Sequence, residues 1–525
     1  MGLHRMIQRM LKRTSPSLEP QHRPAKHGIS LQPDLSGNLE AIRSSCGNSP
    51  DLVIREIELP DGGERKFAVI YVDGLTDAKS INHFILDPLL LAIRDLPQEL
   101  AAEPNADLLQ RLARSVLPVG QILEVSEMTP LLQGLLFGQA AIMADGSSRV
   151  ILIGMKGGED RGVQEPSAQT VIRGPKEGFT EDLSTNIALV RRKIRDPRLW
   201  LEEFRIGRMT HTRITVMYLK GTAKEEVIQE VRSRLERIRI DGILESGYIE
   251  ELIQDRTFTP FPTMFHSERP DVIAAGLLEG RIAILVDGTP FVLLVPALFP
   301  QFFQAAEDYY QRSDIATFLR ILRYISFFIA LLGPSLYIAI TTFHHEMLPP
   351  PLLISLIAQR GRVPFPAFIE ALMMEVTFEL LREAGVRLPR AVGQAVSIVG
   401  ALVIGQAAVE AGIISAAMVI VVAITAISSF VIPAYNMGIA VRMLRFGLMG
   451  LAASFGLYGM IVGLILIIQH LCGLRSFGVP YMTPFSPVSL SDQKDTIARA
   501  PLWGLFSRPR FLSPQNPDRE DTPPT

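Results

Sequence analysis

The feature that most constrains the fold of this chain is a change in character near residue 320. Residues 1–315 carry charged side chains throughout, whereas residues 321–471 are mostly apolar and residues 475–525 are polar again. An α-helix needs about 20 apolar residues to cross a bilayer, and the apolar stretch is long enough for several such helices. The sequence therefore predicts a soluble domain, an α-helical multi-pass membrane domain within residues 316–474, and a polar tail.

Five stretches of the apolar region are candidates for membrane helices. Their predicted bounds are about 321–343, 364–385, 391–409, 413–432 and 447–470. The second is doubtful because it carries four glutamates and an arginine, and charges inside a bilayer are costly. If this second stretch crosses the membrane, every loop follows the positive-inside rule, but the tail lies across the membrane from the soluble domain. If it does not cross, the tail lies on the side of the soluble domain, but Arg442 and Arg445 lie on the opposite side, against the rule. We prefer five membrane crossings, and an arrangement with four crossings remains an alternative.

The soluble part has the pattern of an α/β domain with two small subdomains, 36–170 and 171–315. Apolar runs interrupted by PDGG, by Asp145-Gly146 and by DGTP predict three β-hairpins, near residues 52–72, 140–155 and 281–295. Residues 1–35 are rich in Pro, Ser and basic side chains, so we expect them to be disordered. The basic, uncleaved start and the two distant cysteines predict that the soluble domain lies in the reducing cytoplasm.

Composition and motifs exclude several classes of function. A net charge of −2 and a pI near 6.5 argue against binding of nucleic acid through a basic surface. The sequence has no phosphate loop, dinucleotide fingerprint, nucleophile elbow, CxxC or HExxH motif, so neither an enzyme nor a cofactor is predicted. His344, His345 and Glu346 are adjacent in the chain and chelate one ion poorly, so no metal site is predicted.

Small residues recur at helical spacing in two of the predicted membrane helices. Such stripes let another helix approach closely, either within the chain or between identical subunits around a pore. The predicted packing residues are Gly393, Ser397, Ala401, Gly405, Gly459 and Gly463.

Polar side chains lie in the predicted helices 364–385 and 391–409 and directly after the second of them. Hydrogen bonds between helices would explain the glutamines, and an interfacial helix with a Glu379–Arg382 pair would explain the glutamates. Alternatively, these side chains line a water-filled path in which carboxylates favour cations. We expect Glu375 and Glu379 to face water or a neighbouring subunit. The pore or gating candidates are Glu375, Glu379, Gln394, Gln406 and Glu410.

Five long stretches carry a family resemblance. They are RGPKEGFTEDLSTNIALVRRKI, GPSLYIAITTFHHEMLP, VPFPAFIEALMMEVTFELLREAGVRLP, VGQAVSIVGALVIGQAAVEAGIISAAMVIVV and RSFGVPYMTPFSP. Together they make the chain similar to the A subunits of GerA-type spore germinant receptors over roughly residues 50–510.

The resemblance implies a protein of the endospore inner membrane that acts with a permease-like B subunit and a lipoprotein C subunit. It further implies a homo-oligomer, specifically a pentamer, which forms a nutrient-gated channel releasing monovalent cations as germination begins. Two alternatives within this interpretation are an A-type paralogue that amplifies germination and a scaffold that conducts no ions. A secondary transporter is a third, although the sequence shows no convincing internal repeat of the kind that transporters carry.

Overall fold

The computed structural model describes residues 30–58, 66–94, 111, 122–157, 166, 169, 171–388, 403–489, 492–505, 507–512 and 516–519. Its N-terminal part contains two five-stranded antiparallel sheets, and its C-terminal part is built from apolar helices. The predicted α/β domain followed by an α-helical domain is confirmed. Of the stretch predicted to be disordered, residues 1–29 lie outside the described residues. Leu31 and Leu35 also belong to the stretch predicted to be disordered, but both are buried in the core of the first subdomain.

In its described residues, the first subdomain packs several helices against one sheet. Its strands are β1 (Leu52–Glu58), β2 (Lys66–Val72), β3 (Ile122–Val125), β4 (Gln139–Ala144) and β5 (Val150–Gly154), in the order β1-β2-β4-β5-β3. Its helices are α1 (Leu35–Ser45), α2 (Asp87–Arg94) and α3 (Met128–Leu136). The pairings of β1 with β2 and of β4 with β5 confirm the first two predicted hairpins.

The second subdomain repeats this topology. Its strands are β6 (Leu199–Ile206), β7 (Thr212–Leu219), β8 (Phe265–Ser267), β9 (Ile282–Val286) and β10 (Val292–Val295), in the order β6-β7-β9-β10-β8. Its helices are α4 (Leu183–Lys193), α5 (Glu225–Arg237), α6 (Ser246–Ile253) and α7 (Pro270–Leu278). When the strands of each subdomain are numbered from one to five along the chain, both sheets have the strand order 1-2-4-5-3. An aspartate caps the helix that opens each subdomain, Asp34 and Asp182.

A buried ion pair joins the two subdomains. Arg191 of α4 donates from Nε to Oδ2 of Asp51 at 2.6 Å and from Nη2 to Oδ1 at 3.0 Å. Beside it, the ring of Trp200 occupies the space that a Cβ at Gly47 would need.

The pairing of β9 with β10 confirms the third hairpin. The apolar residues of 281–295 therefore fill the core of a sheet and do not form a membrane helix.

The C-terminal part consists of long helices. They are α8 (Ser313–Thr342), α9 (Pro350–Arg360), α10 (Ala367–Arg387), α11 (Ala416–Val431) and α12 (Tyr435–Gly473). Residues 403–410 are also helical. Among the described residues, α8 and α12 are long and apolar enough to cross a membrane. Pro334 lies inside α8 without ending it.

α12 is a helical hairpin. Gly456 has φ +61° and ψ −142°, a conformation that is open essentially only to glycine. Asn436 contacts His266, and His470 contacts Thr259. A straight helix would separate residues 436 and 470 by about 51 Å, whereas residues 259 and 266 are at most about 25 Å apart. Both arms of α12 must therefore end at the second subdomain.

The hairpin changes the predicted topology. One helix was predicted at 447–470, but two arms run away from the α/β domain and back to it. They meet at Gly456, beside Phe343 and His344 at the far end of α8. The turn could not be predicted from the sequence, because the apolar pattern continues through Gly456.

The tail consequently lies on the same side as the α/β domain. It begins with β11 (Arg475–Ser476) and β12 (Val479–Pro480). Phe299 donates its backbone N–H to the carbonyl of Tyr481 at 2.9 Å, and the ring of Tyr481 is buried. These contacts disagree with the tail position of the preferred five-crossing arrangement, while the number of membrane crossings stays a prediction.

Candidate functional site

A cluster of ion pairs lies between α10 and α12. Oε2 of Glu375 lies 2.7 Å from Nη2 of Arg445, and each side chain is 1% exposed. Oε2 of Glu379 accepts a hydrogen bond from Nη1 of Arg442 at 2.8 Å. Oε1 of Glu379 lies 3.4 Å from Arg445 and 3.5 Å from Arg382. Isolated buried charges are very costly, so this pairing is what allows Glu375, Glu379 and Arg382 of the predicted helix 364–385 to lie in an apolar region.

The cluster changes the expectation for Glu375. Its carboxylate was expected to face water or a neighbouring subunit, but the structure packs it against Arg445 of the same chain. A helix-face argument cannot find this partner, because Arg445 is 70 residues further along the chain. Glu379 keeps its predicted contact with Arg382 and also has partners on α12.

Arg382 extends the cluster to α11. Its Nη2 donates to Oγ of Ser429 at 2.8 Å. Its guanidinium lies over the rings of Phe378 and Phe430, with Cζ 5.0 Å and 4.8 Å from the ring centroids. Cation–π contacts of this kind stabilise a cation that is removed from water. Three helices are therefore joined at this level of the helical region.

Glu370 joins the opposite end of α10 to the start of α11. It accepts hydrogen bonds from the backbone N–H of Ser415 at 3.0 Å and from its hydroxyl at 2.8 Å. Ser415 caps α11, and Arg360 of α9 lies 3.5 Å from the same carboxylate. Sequence reasoning missed this site, although a serine directly before an apolar helix is a typical N-cap signal.

Gln406 and Glu410 form a polar face on the helical segment 403–410. Nε2 of Gln406 donates to Oε1 of Glu410 at 2.9 Å. Both side chains are exposed in the single chain, together with Val403 and Ile404. Gly405 is buried, and a Cβ there would lie 3.6 Å from Val419. Four predicted residues of the same run lie outside the described residues: Gly393, Gln394, Ser397 and Ala401.

Gly459 and Gly463 lie in the returning arm of α12. A Cβ on Gly459 would lie 2.4 Å from the carbonyl oxygen of Leu451. A Cβ on Gly463 would lie 2.6 Å from Leu448. Both contacts join the two arms of one hairpin, so these glycines allow the arms to approach closely.

A second buried charge cluster ties the start of α8 to the tail. Arg320 donates from Nε to Asp308 at 2.9 Å and from Nη1 to Oδ1 of Asp495 at 2.7 Å. Arg323 donates to Asp308 at 2.7 Å, and Tyr309 donates to Asp495 at 2.8 Å. The sequence alone does not indicate this cluster, because Asp495 belongs to the distant tail.

A third junction connects α6, β8 and the start of α12. Nδ1 of His266 lies 4.0 Å from Oε2 of Glu250 and 3.5 Å from Nδ2 of Asn436. Burial, aided by the nearby charge of Glu245, raises the pKa of Glu250 to about 7. Burial also lowers the pKa of His266. The neutral forms of both side chains are therefore favoured at this junction.

In the part of the chain that the structure describes, no group of three or more His, Cys, Asp or Glu side chains is placed to hold a metal ion. Cys46 is buried and Cys472 is exposed, and both are free thiols.

Comparison with known proteins identifies the family. The family described as Bacillus/Clostridium GerA spore germination protein matches residues 40–511. Spore germination protein KA of Bacillus subtilis (strain 168) is 51% identical over 492 residues, covering 94% of this chain and 89% of that protein. Membrane protein YfkQ of the same strain is 43% identical over 486 residues, covering 93% of each chain.

Two further proteins resemble this chain. Spore germination protein A1 of Bacillus subtilis (strain 168) is 38% identical over 491 residues, covering 94% of this chain and 98% of that protein. The crystal structure of the N-terminal domain of the A subunit of the Bacillus megaterium spore germinant receptor GerK3 is 39% identical. The match covers 52% of this chain and 98% of the chain in that crystal structure, with a TM-score of 0.42. The family match over residues 40–511 and the curated relatives show that this chain belongs to the GerA family of spore germination proteins, as an A-type subunit of a spore germinant receptor.

Proposed function

We propose that several copies of this chain assemble around a path for monovalent cations, which a nutrient signal opens at the start of germination. The family supports a receptor that also contains a permease-like B subunit and a lipoprotein C subunit. We assign the helical region to the inner membrane of the endospore and the α/β domain to the cytoplasm. A pentamer is the assembly that we propose, and no cofactor or metal is required.

The exposed Gln406–Glu410 face is the observation that carries this proposal. Among the described residues, these two exposed side chains hydrogen-bond only to each other, on a helical segment, 403–410, that is otherwise apolar. Contact with lipid would be costly for both, so such residues face a partner or a water-filled cavity. A ring of glutamates at the mouth of a path attracts cations. Gln406 and Glu410 are therefore our candidates for the wall of the path, and Gln394 remains a candidate on the same run.

Glu375 and Glu379 have a different role in this proposal. Their carboxylates are held by Arg442 and Arg445, so they have little capacity left to bind a passing cation. We assign them to gating, because they fix the position of α10, the helix that directly precedes the Gln406 run in the chain. The small residues Gly393, Ser397, Ala401 and Gly405 would allow close helix contacts around the path.

Potassium release from spores tests the proposal. Spores carrying the complete receptor with Gln406→Leu or Glu410→Gln are compared with wild type at matched protein level, after a germinant mixture is added. We expect slower or premature potassium release. The matched control is Glu383→Gln, which removes an exposed carboxylate that pairs only with Arg387 among the described residues. Unchanged release in both path variants would contradict the proposal and favour a scaffold that conducts no ions.

A further inference from the structure

The second subdomain contains a cavity of about 440 Å³ that the proposed cation path does not use. It lies between α7, the residues that precede α8, and the tail. Apolar side chains form much of its wall, including Phe265, Val272 and Leu294. Its volume falls within the range of about 300–1,000 Å³ that is usual for small-molecule sites. The cavity is therefore large enough for a compact organic ligand.

Positive charge exceeds negative charge in this wall. Arg281 and Arg519 share one carboxylate, because Nη2 of Arg281 lies 3.5 Å from Oε2 of Glu279 and Nη2 of Arg519 lies 2.6 Å from Oε1. The other acidic group, Asp271, already pairs with Arg269 at 2.8 Å. A carboxylate that is shared between two guanidinium groups leaves one positive charge uncompensated.

Arg508 of the tail adds a third guanidinium. In the described part of the chain, its hydrogen bonds go to the backbone carbonyls of Leu278, Asn516 and Asp518. Carbonyl oxygens carry only partial charge, so they do not neutralise an arginine. The wall thus holds three guanidinium groups and two carboxylates, one of which already pairs with Arg269.

Arg281 is the deepest of the three arginines. Its side chain is 6% exposed, and among the described residues its Nε and Nη1 atoms have no hydrogen-bond partner. Oε1 of the nearby Gln301 also has none. A buried polar group without a partner costs free energy that a bound ligand can recover. These groups distinguish the cavity from a packing defect between apolar side chains.

We propose that this cavity binds a small organic acid with one carboxylate and a flat apolar body. The carboxylate matches the planar donors of a guanidinium group, and the body packs against Phe265 and Leu294. Because Arg508 and Arg519 come from the tail, a bound acid links the tail to the second subdomain. The site is separate from the proposed path, so its test involves no ion flux and its failure leaves the channel proposal untouched.

Fluorine NMR with 4-fluorobenzoate tests the site on the purified full-length protein in detergent. We expect saturable binding, and binding of the uncharged 4-fluorobenzamide at least tenfold weaker. Arg508→Ala and Arg519→Ala should each raise the Kd of 4-fluorobenzoate at least fivefold. The matched control is Arg510→Ala, because Arg510 is an exposed tail residue that does not line the cavity. Its Kd should be unchanged.

A cavity-filling variant locates the binding independently of charge. Ala275 is exposed and lines the cavity, so Ala275→Phe should abolish binding while the thermal unfolding temperature stays near that of wild type. Absence of binding to wild type would overturn the proposal, as would equal binding of the two probes or full binding to Ala275→Phe. Displacement by inorganic phosphate as effective as by benzoate would also overturn it, because the site would then recognise charge alone.

Discussion

Glu375 of α10 and Arg445 of α12 form an ion pair with a 2.7 Å separation between Oε2 and Nη2 in the interior of the helical region. Because neither side chain reaches solvent, each depends on the other for compensation of its charge. The geometry explains why a stretch that carries so many carboxylates is compatible with its apolar surroundings.

Removing one member of this pair should be strongly destabilising. Glu375→Gln leaves Arg445 with only the longer contact to Glu379, and loss of one partner of a buried pair costs about 3–5 kcal/mol. The double variant Glu375→Leu/Arg445→Met should recover most of that loss, because apolar replacements remove both charges. Thermal unfolding in detergent measures the stability of purified wild type, of Glu375→Gln and of the double variant. Glu383→Gln, in an exposed pair, should change the unfolding free energy by no more than about 0.5 kcal/mol.

Gly456 should be irreplaceable at the tip of the hairpin. Its backbone conformation is unfavourable for an L-residue, and a Cβ would lie 2.8 Å from Cε1 of His344. We expect Gly456→Ala to destabilise the protein by about 1–3 kcal/mol. Gly447→Ala and Gly450→Ala are matched controls in the same arm, since a Cβ at either meets no atom within 4 Å. They should be neutral or stabilising by up to about 1 kcal/mol. A loss in the controls equal to that in Gly456→Ala would contradict the hairpin.

The tail should detach when its buried ion pair is removed. Asp495→Asn takes a negative charge away from Arg320, whose side chain is fully buried. We expect faster backbone hydrogen exchange in residues 492–505, with the α/β domain unaffected. Asp314→Asn is the control, because it removes an exposed carboxylate from the pair with Arg312. If Asp495→Asn leaves exchange in the tail at the wild-type rate, the pair does not hold the tail.

The Glu250 junction should make stability depend on pH. Burial raises the pKa of Glu250 from an ordinary value of 4.5 to about 7, so the folded protein binds a proton that the unfolded chain releases between these values. Its contribution to stability is full below pH 4.5 and is lost as the pH rises to about 7. His266 and Glu245 are the titratable groups nearest to it, while Asn436 is the neutral contact from α12.

Glu250→Gln should therefore be more stable than wild type at pH 8 and should lose that advantage at pH 5. Thermal unfolding at both pH values measures the difference between variant and wild type, which removes the contribution of other titrating groups. Glu251→Gln, at the exposed neighbouring position, should show no pH-dependent difference. An equal difference at the two pH values would mean that Glu250 does not carry the shifted pKa.

Local patterns predicted the parts of the fold that depend on neighbouring residues. The three hairpins follow from a turn sequence between apolar runs, so β1–β2, β4–β5 and β9–β10 could be identified from the chain alone. The repeated strand order of the two subdomains could not, because it depends on pairings such as β2 with β4 between distant segments.

The site shows the same limit. Helical spacing predicted the Glu379–Arg382 contact, whereas Arg445 and Asp495 became visible as partners only when distant segments packed together. Gly456 was missed because an apolar pattern through a glycine is compatible with one continuous helix. The hairpin is evident from contacts between distant residues, such as those of Asn436 and His470 with the α/β domain.

The most direct test of the cation path is chemical modification of Gln406. In a Cys472→Ser background, Gln406→Cys spores would be treated with a water-soluble, charged thiosulfonate reagent before germinant is added, and potassium release would be recorded. Leu466→Cys, at an exposed apolar position of α12, is the matched control. We expect the reagent to block potassium release at position 406 and not at position 466. Equal release from treated and untreated Gln406→Cys spores, with the thiol shown to be modified, would contradict a path along the Gln406–Glu410 face.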